Sequence, residues 1–466
     1  MTSTQTMTTK TNHYFRALVA LAVLASLLAV LAVRPAHADG EFIFKVNFTG
    51  DFADRNVGDG VCDVTASTEN TCTLRAAIQE TNATPELDAI QFDIPEAFRD
   101  PASGVATIKP NNELPTITEP VFIQGYTQPG ASRNTATKGT NAAPKIVLSG
   151  ANIPSFTDDV SGLTVTGGGT TIQGLVINGF KRDQSSFGGT GIGLLNVAGN
   201  TNNVISGNFI GTDAAGTAAV PNQADGVATS FNSTNNTIGG TTPADRNLIS
   251  GNFSSGVQLG SSNNQVHNNL IGTDKTGTKA LGNGEGVGVF KSGNTLGGAS
   301  PNTIAFNKSS GVNIDAVIGT SSAGNKVLSN SIFSNGELGI DLGRDGVSAN
   351  DSGDADSGPN NLQNFPVISS AKTSSTATTI SARLNSGVNT PYIVQFFSNP
   401  AGGDEGKTFI GQKTVATDAS GNASFTFKPN TKVAAGRTIT ATATRNFFSI
   451  PSDTSEFSAP RKVVAS

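Results

Sequence analysis

Short aliphatic segments bounded by asparagine or glycine recur along the middle of the chain. They have the form Asn-x-aliphatic-x-x-Asn and occur as "NVISGN" (from Asn203), "NLISGN" (Asn247), "NQVHNN" (Asn264), "NTIAFN" (Asn302) and "NKVLSN" (Asn325). Between them, glycine followed by an aliphatic residue returns at Gly191, Gly226, Gly256, Gly286, Gly311 and Gly339, at intervals of 25 to 35 residues. Periods of this size are typical of solenoids, in which each repeat adds one coil.

The two or three alternating aliphatic residues of each segment predict short parallel strands rather than helices. In a stacked coil they point inward, about 4.8 Å from their equivalents in the next coil. The predicted inward residues are Ile205, Ile210, Val227, Ile238, Ile249, Val257, Leu259 and Ile271. Leucine-rich repeats, the competing solenoid, would require a regular Leu-x-x-Leu-x-Leu pattern, which is missing.

Asparagine is expected at the corners of these coils, in left-handed backbone geometry and with its amide bonded to the backbone and to the asparagine of the next coil. The predicted corner asparagines are Asn208, Asn252, Asn269, Asn307 and Asn330.

One corner motif contains an aspartate: "NFIGTDAAGT" (Asn208 to Thr217) returns as "NLIGTDKTGT" (Asn269 to Thr278). An Asp followed three residues later by Gly suits an Asx or type I turn. Because a catalytic residue normally occurs once, whereas this one recurs with the repeat, we interpret Asp213 and Asp274 as turn residues.

The N-terminus has the pattern of an export signal. Lys10 and Arg16 precede an apolar run from Ala17 to Val33, and Ala36-His37-Ala38 then offers a small-x-small cleavage site. We therefore predict a signal peptide over residues 1–38 and a secreted or bacterial cell-surface protein. No second apolar run of spanning length follows, so no membrane span is expected after its removal.

We predict three further segments after the signal peptide. Residues 39–95 form an N-terminal cap with an amphipathic helix from Thr73 to Thr81, which covers the open end of the first coil. Residues 96–367 form the parallel β-helix. Residues 368–466 lose the repeat and show alternating strands such as "TTISARL" and "YIVQFFSN", which predict an immunoglobulin-like β-sandwich. We interpret this sandwich as a spacer or end cap, or as a glycan-binding module.

The amino-acid composition and charge of the chain exclude several classes of function. The chain has 54 Gly among 466 residues and 14% charged residues, as expected for a turn-rich β protein. The formal net charge is −5 and no basic run follows the signal, which argues against a nucleic-acid partner. His267 is the only histidine after residue 38, so a multi-histidine metal site is excluded. We expect a monomer.

Cys62 and Cys72 are the only cysteines. In an exported chain, a pair ten positions apart predicts a disulfide rather than a metal or redox site.

Several motifs together resemble a known family. They are "GDGVCD" (Gly58 to Asp63), "CTLRAAIQETN" (Cys72 to Asn82), "NTIGG", "RNLISGN", "IGTD..GT" and "LQNFPVI". In this order and spacing they are similar to the bacterial secreted right-handed parallel β-helix proteins with an N-terminal CSLREA-type domain, from about Phe44 to Phe457. The family has Ser at the position of Thr73 and Glu at that of Ala76. Here Thr73 can still cap the helix, whereas Ala76 cannot return the hydrogen bond.

Two acidic segments are candidate calcium sites, because they supply hard oxygen ligands in flexible loops. The first is "NDSGDADSGPN", with Asp351, Asp354 and Asp356, and the second is "DFADRNVGDGVCD". The aspartates of the second segment are Asp51, Asp54, Asp59 and Asp63. Solvated acidic turns are the alternative interpretation of both.

Enzyme motifs known from β-helix proteins are incomplete. "TDD" at Thr157 to Asp159 is not followed by the Gly-His-Gly of a polygalacturonase-like hydrolase. The repeats contain Arg246, Lys275, Lys291 and Lys308 as bases that a lyase could use, without a recognisable constellation. We therefore predict a non-catalytic adhesion or glycan-contacting scaffold, with a polysaccharide lyase or glycoside hydrolase as the alternative. An enzyme should cluster acidic and basic groups in one groove, whereas an adhesin should display uncharged ladders.

Overall fold

The computed structural model describes residues 42–466 apart from 65–70, 155–159, 183–187, 196, 198, 231, 317–320 and 448–449. The predicted signal peptide (1–38) and the "TDD" segment (157–159) lie outside the described residues. Strands dominate the described part of the chain.

Three long parallel sheets form the body of the protein, as in a parallel β-helix. Sheet 1 contains Ile43–Val46, Asp88–Phe92, Val121–Gln124, Thr171–Gln173, Val204–Ser206, Thr237–Gly239, Gln265–His267, Thr295–Gly297 and Lys326–Leu328. Sheet 2 contains Ala106–Ile108, Ile146–Ser149, Leu175–Asn178, Phe209–Ile210, Leu248–Ile249, Leu270–Ile271, Thr303–Ala305 and Ser331–Phe333. Sheet 3 contains Leu163–Val165, Ile192–Leu194, Val227–Thr229, Ser255–Leu259, Glu285–Val289, Val312–Ile314 and Ile340–Leu342.

Each regular coil contributes one strand to each sheet, and equivalent residues stack in register. In sheet 1, for example, Ile205 pairs with Ile238, which pairs with Val266. These three side chains are fully buried, and all the predicted inward residues belong to the same core. The prediction of a coil of short parallel strands is confirmed, because the period-two alternation of each segment places one face of every strand inside.

The N-terminal end of the core is covered by helix α1 (Leu74–Thr81). Thr73 is its N-cap and accepts a hydrogen bond from the backbone N–H of Ala76 at 3.1 Å. Leu74 and Ile78 are buried in the solenoid core, as predicted. Cys62 and Cys72 form the predicted disulfide beside this helix. The first two strands of sheet 1 also lie here, within the segment that the sequence assigned to the cap.

Three ladders of buried asparagines follow the corners of the coils. In each, the Nδ2 of one asparagine donates to the Oδ1 of the asparagine in the next coil, over 2.9 to 3.3 Å. The ladder between sheets 1 and 2 contains Asn208, Asn247, Asn269, Asn302 and Asn330. The ladder between sheets 2 and 3 contains Asn222, Asn252, Asn283, Asn307 and Asn335. The ladder before sheet 1 contains Asn203, Asn236, Asn264, Asn294 and Asn325.

The expectation of left-handed geometry at these corner asparagines is wrong. The left-handed residue is instead the one that precedes the ladder residue. The preceding residues with positive φ are Gly207, Gly251, Asn268, Phe306 and Ser329. The chain turns at this position, so that the next side chain points into the corner and reaches its partner in the ladder.

Residues from Val367 onward form two further sheets. Sheet 4 contains Val367–Thr373, Thr378–Asn385, Asn422–Phe427 and Val464–Ala465. Sheet 5 contains Pro391–Asn399, Thr408–Ala416, Thr438–Phe447, Ile450–Thr454 and Arg461–Lys462. They share a separate core that includes Tyr392, Val394 and Phe396. Short 3₁₀ helices elsewhere in the chain span Glu96–Phe98, Gly125–Thr127, Gly150–Asn152, Pro243–Asp245 and Pro359–Leu362.

This C-terminal module binds the last strand of all three solenoid sheets. At sheet 1, the backbone N–H of Val327 donates to the Thr454 hydroxyl at 3.0 Å. At sheet 2, Ile332 pairs with Gly406 through two backbone hydrogen bonds. At sheet 3, the backbone N–H of Leu342 donates to the Glu456 carboxylate at 3.0 Å. The module therefore closes the C-terminal end of the solenoid, where unpaired strand edges would otherwise be exposed.

Among the described residues, no helix has the length and apolar character needed to cross a membrane.

Candidate functional site

The two GTD aspartates hold the turns of their own loops. Asp213 Oδ1 accepts hydrogen bonds from the backbone N–H groups of Thr217 and Ala218 at 2.8 and 3.1 Å. Asp274 accepts from the hydroxyl of Thr276 at 2.6 Å and from neighbouring backbone N–H groups. Burial would raise the pKa of Asp274, but these hydrogen bonds outweigh it and lower the pKa. The contacts are those of turn residues.

The four basic residues considered for a lyase lie at different places on the coil. Arg246 is buried before sheet 2, and its Nη atoms donate to the backbone carbonyls of a neighbouring loop, including that of Ala136 at 3.1 Å. Lys275 lies in the second GTD loop, Lys291 before sheet 1 and Lys308 after sheet 2. Arg246 therefore fixes one loop to another, and the four residues do not face one groove.

The structure brings Asp351, Asp354 and Asp356 together, with one carboxylate oxygen of each within 4.8 Å of the others. Burial, with a smaller contribution from the neighbouring carboxylates, raises the pKa values of Asp354 and Asp356. Asp354 also accepts from the Ser386 hydroxyl at 2.7 Å, which links the loop to the C-terminal module. The three oxygens could serve a calcium ion, which prefers such hard ligands.

The second predicted calcium segment divides into two parts. Asp54 and Asp59 lie together with Glu80 of helix α1, which the sequence analysis did not include. Asp51 instead pairs with Arg75 at 2.8 Å, and Asp63 pairs with Arg55. Glu80 accepts from the backbone N–H groups of Gly58 and Gly60 at 2.7 and 2.9 Å, so it already holds the loop in place.

A cluster of polar side chains that the sequence analysis missed covers the outer face of sheet 3. Asn313 and Asp341 are register partners on adjacent strands, and each alternates with core residues, so both point away from the core. Gly288 is the register partner of Asn313 on the other side. We name this surface the sheet 3 cleft; its other members are Asp225, Ser255, Glu285, Phe290, Ser310, Asp315 and Arg344.

Glu285 lies at the centre of the sheet 3 cleft. Glu285 Oε1 accepts from Asn313 Nδ2 at 3.0 Å, and both carboxylate oxygens accept from Arg344 Nη2, at 3.1 and 3.0 Å. The Arg344 guanidinium lies 5.4 Å from the centre of the Phe290 ring. A Cβ atom at Gly288 would come within 2.7 Å of Glu285 Oε2, so a larger residue there would displace this carboxylate from its present position.

Two more buried carboxylates lie on either side of Glu285. Asp225 accepts from the backbone N–H of Ser255 at 2.8 Å, and the Ser255 hydroxyl donates to Glu285 at 3.2 Å. Asp341 accepts a long hydrogen bond, 3.4 Å, from the Ser310 hydroxyl, and the backbone N–H of Arg344 also donates to its carboxylate. Burial raises the pKa values of Asp225, Glu285 and Asp341, although Arg344 partly opposes this at Glu285.

Two acceptor atoms of the sheet 3 cleft lack a hydrogen-bond partner among the described residues. They are Asn313 Oδ1 and Asp341 Oδ1, on side chains that are 2% and 5% exposed. Buried acceptors are normally satisfied, so these two neighbouring exceptions require a donor from a water molecule or from a ligand.

These residues were difficult to find in the sequence because each is a single acidic or amide residue in its own coil. The usable signal was the repeat itself: Asp225, Ser255 and Glu285 follow one another at exact intervals of 30 residues. A common period places residues at the same corner of successive coils. The side chains of the asparagine ladders, in contrast, bind one another and the backbone inside the corners of the coils, so they form no surface that an adhesin could display.

No model of a known protein family matches the sequence, and no curated protein matches it.

Proposed function

We propose that the protein is an exported extracellular or cell-surface β-helix protein that binds glycans, without catalysing a reaction, in the sheet 3 cleft. The export pattern of residues 1–38 and the resemblance to secreted right-handed β-helix proteins support the location. The C-terminal module, for which we propose an immunoglobulin-like topology, acts as an end cap. The observation on which the function rests is the pair of unpartnered acceptors, Asn313 Oδ1 and Asp341 Oδ1.

The cleft has the properties of a carbohydrate site. Successive strands of a sheet lie about 4.8 Å apart, so the five coils from Asp225 to Asp341 extend over roughly 19 Å. Along this length carboxylates, an amide, hydroxyls and a guanidinium alternate, and Phe290 adds an aromatic ring. A few directed polar groups beside an aromatic surface are typical of sites that orient a polar ligand.

Glycoside hydrolysis is the second candidate function. It is favoured by the burial of Glu285 and Asp341, which raises their pKa values in the direction that suits a general acid. We place it second because both oxygens of Glu285 accept hydrogen bonds from Arg344. Asp225 and Asp341, to which no described arginine side chain donates a hydrogen bond, are four coils apart, well beyond the roughly 6.5–9.5 Å that an inverting pair requires.

The test is to incubate the purified mature protein with a polysaccharide panel and to measure binding and new reducing ends together. We expect binding without product, and weaker binding for the Asp341→Asn variant. Glu96→Gln is the matched control, since Glu96 is an exposed acid in a 3₁₀ helix outside the cleft. Product formation that Asp341→Asn abolishes would replace our proposal by the hydrolase, and an absence of any glycan binding would overturn both.

A further inference from the structure

We propose that the ligand of the sheet 3 cleft is a cationic glycan, a polymer that contains amino sugars with free ammonium groups. This inference rests on the proposed glycan-binding function and specifies the charge of the ligand.

Negative charge exceeds positive charge in and around the cleft. Three buried carboxylates and Asp315, which lies 3.9 Å from Arg344, belong to it. Two more carboxylates, Glu337 and Asp345, adjoin it and act electrostatically on Asp341. Opposite them stand Arg344 and, beside Asp225, Arg182. Six carboxylates against two guanidinium groups create a negative potential that attracts cations and repels uronates.

The unpartnered atoms are acceptors, and the missing partner is therefore a donor. Asn313 Nδ2 already donates to Glu285, which fixes the amide with Oδ1 free. The free Oδ1 of Asp341 lies on the adjacent strand. An ammonium group has three N–H donors and no acceptor, so it matches a surface of acceptors better than a carboxylate or a carbonyl does. Hydroxyl groups of the same sugar chain can donate to the remaining oxygens.

The carboxylates form a row and do not converge on one point. The described acidic groups whose oxygens gather within 4.8 Å are the Asp54 and Asp351 clusters, and the sheet 3 cleft is not among them. A single metal ion requires such convergence. Arg344 pairs with Glu285 in the middle of the row and Arg182 acts on Asp225 at one end. Asp341, at the other end, forms no ion pair with a described basic side chain. An extended polymer with repeated positive groups fits this arrangement.

The experiment measures binding of the full mature chain to four hexameric probes by calorimetry: glucosamine, N-acetylglucosamine and galacturonate oligomers, and hexalysine. We expect the glucosamine oligomer to bind about tenfold or more tightly than its acetylated counterpart, because its ammonium groups make charge-assisted hydrogen bonds to carboxylates that neutral acetamides cannot make. Added salt should weaken this binding. Asp341→Asn should remove most of the preference, whereas Glu96→Gln should retain it.

The possible failures can be told apart. Equal binding of the two hexosamine oligomers, or tighter binding of galacturonate, would overturn the cationic ligand and leave glycan binding intact. Binding of hexalysine as tight as that of the glucosamine oligomer would show that charge alone is recognised, and would overturn the amino sugar. No binding by any oligosaccharide would overturn the proposed function itself. If circular dichroism shows that Asp341→Asn does not fold, Asp225→Asn tests the other end of the row.

Discussion

The contribution of the asparagine ladders to stability can be tested at Asn302, a buried residue in the middle of one ladder. Its Oδ1 accepts from the backbone N–H and from Nδ2 of Asn269, at 2.9 and 3.0 Å. Its Nδ2 donates to the Val266 carbonyl and to Asn330 Oδ1, at 2.7 and 2.9 Å. The substitution Asn302→Ala removes all four hydrogen bonds and leaves two buried donors of Asn269 without a partner.

Each orphaned donor costs roughly 1–3 kcal/mol, so Asn302→Ala should lower the free energy of unfolding by about 2–6 kcal/mol. Urea unfolding of the mature protein, followed by far-UV circular dichroism, measures this change. Asn232→Ala is the matched control, because Asn232 is an exposed asparagine in the same solenoid. Its substitution should change stability by no more than about 0.5 kcal/mol. If Asn302→Ala were destabilised by less than about 1 kcal/mol, the ladders could not be a main source of stability.

Three further predictions concern the module junction, the cleft and the calcium candidate. Burial raises the pKa values of Glu405 and Glu456 to about 7 from the ordinary 4.5, so the folded state binds more protons than the unfolded state between these values. Its stability should therefore fall as pH rises from 4.5 to 7 and then level off. In thermal melts, a Glu405→Gln/Glu456→Gln variant should show a clearly smaller slope, and an unchanged slope would contradict this role of the two residues. Gly288→Ala should displace the Glu285 carboxylate, weaken glycan binding and destabilise the fold by about 1–3 kcal/mol. An unchanged affinity for glycan would contradict binding in the sheet 3 cleft. Calcium should raise the melting temperature and magnesium should not, and Asp356→Asn should abolish the rise; equal effects of both ions would contradict a specific site.

The sequence predicted the solenoid because each coil repeats the same physical requirement. Alternating aliphatics such as Ile205 and Ile238 must face the core in every coil, so the pattern recurs and can be recognised. The prediction of the acidic cluster at Asp54 was incomplete for a different reason. Glu80 is separated from the acidic loop by the disulfide and reaches it only because helix α1 turns back toward the loop.

The sheet 3 cleft escaped prediction because its chemistry does not repeat. Gly288, Asn313 and Asp341 are neighbours in space but occupy one coil each, at a position that is otherwise variable. These residues are 25 or 28 positions apart in the sequence and become neighbours through the register of the strands. The register can be assigned only when the bounds of the strands are known. The resemblance to the β-helix family gave the architecture and no site residues.

The closure of the solenoid by separate structures at its two ends has a consequence for how such a protein can change in length. Because helix α1 contacts the first coils and the C-terminal module contacts the last, neither depends on how many coils lie between them. Each internal coil presents the same asparagines and aliphatics to both neighbours, so a duplicated coil would find matching partners above and below. Duplication of the coil that begins near Asn203 would lengthen the molecule. The row from Asp225 to Asp341 would stay intact only if the new coil were inserted before Asp225. Unequal exchange between repeats could thus generate longer relatives that keep one binding surface, and an engineered insertion at that point offers the same route.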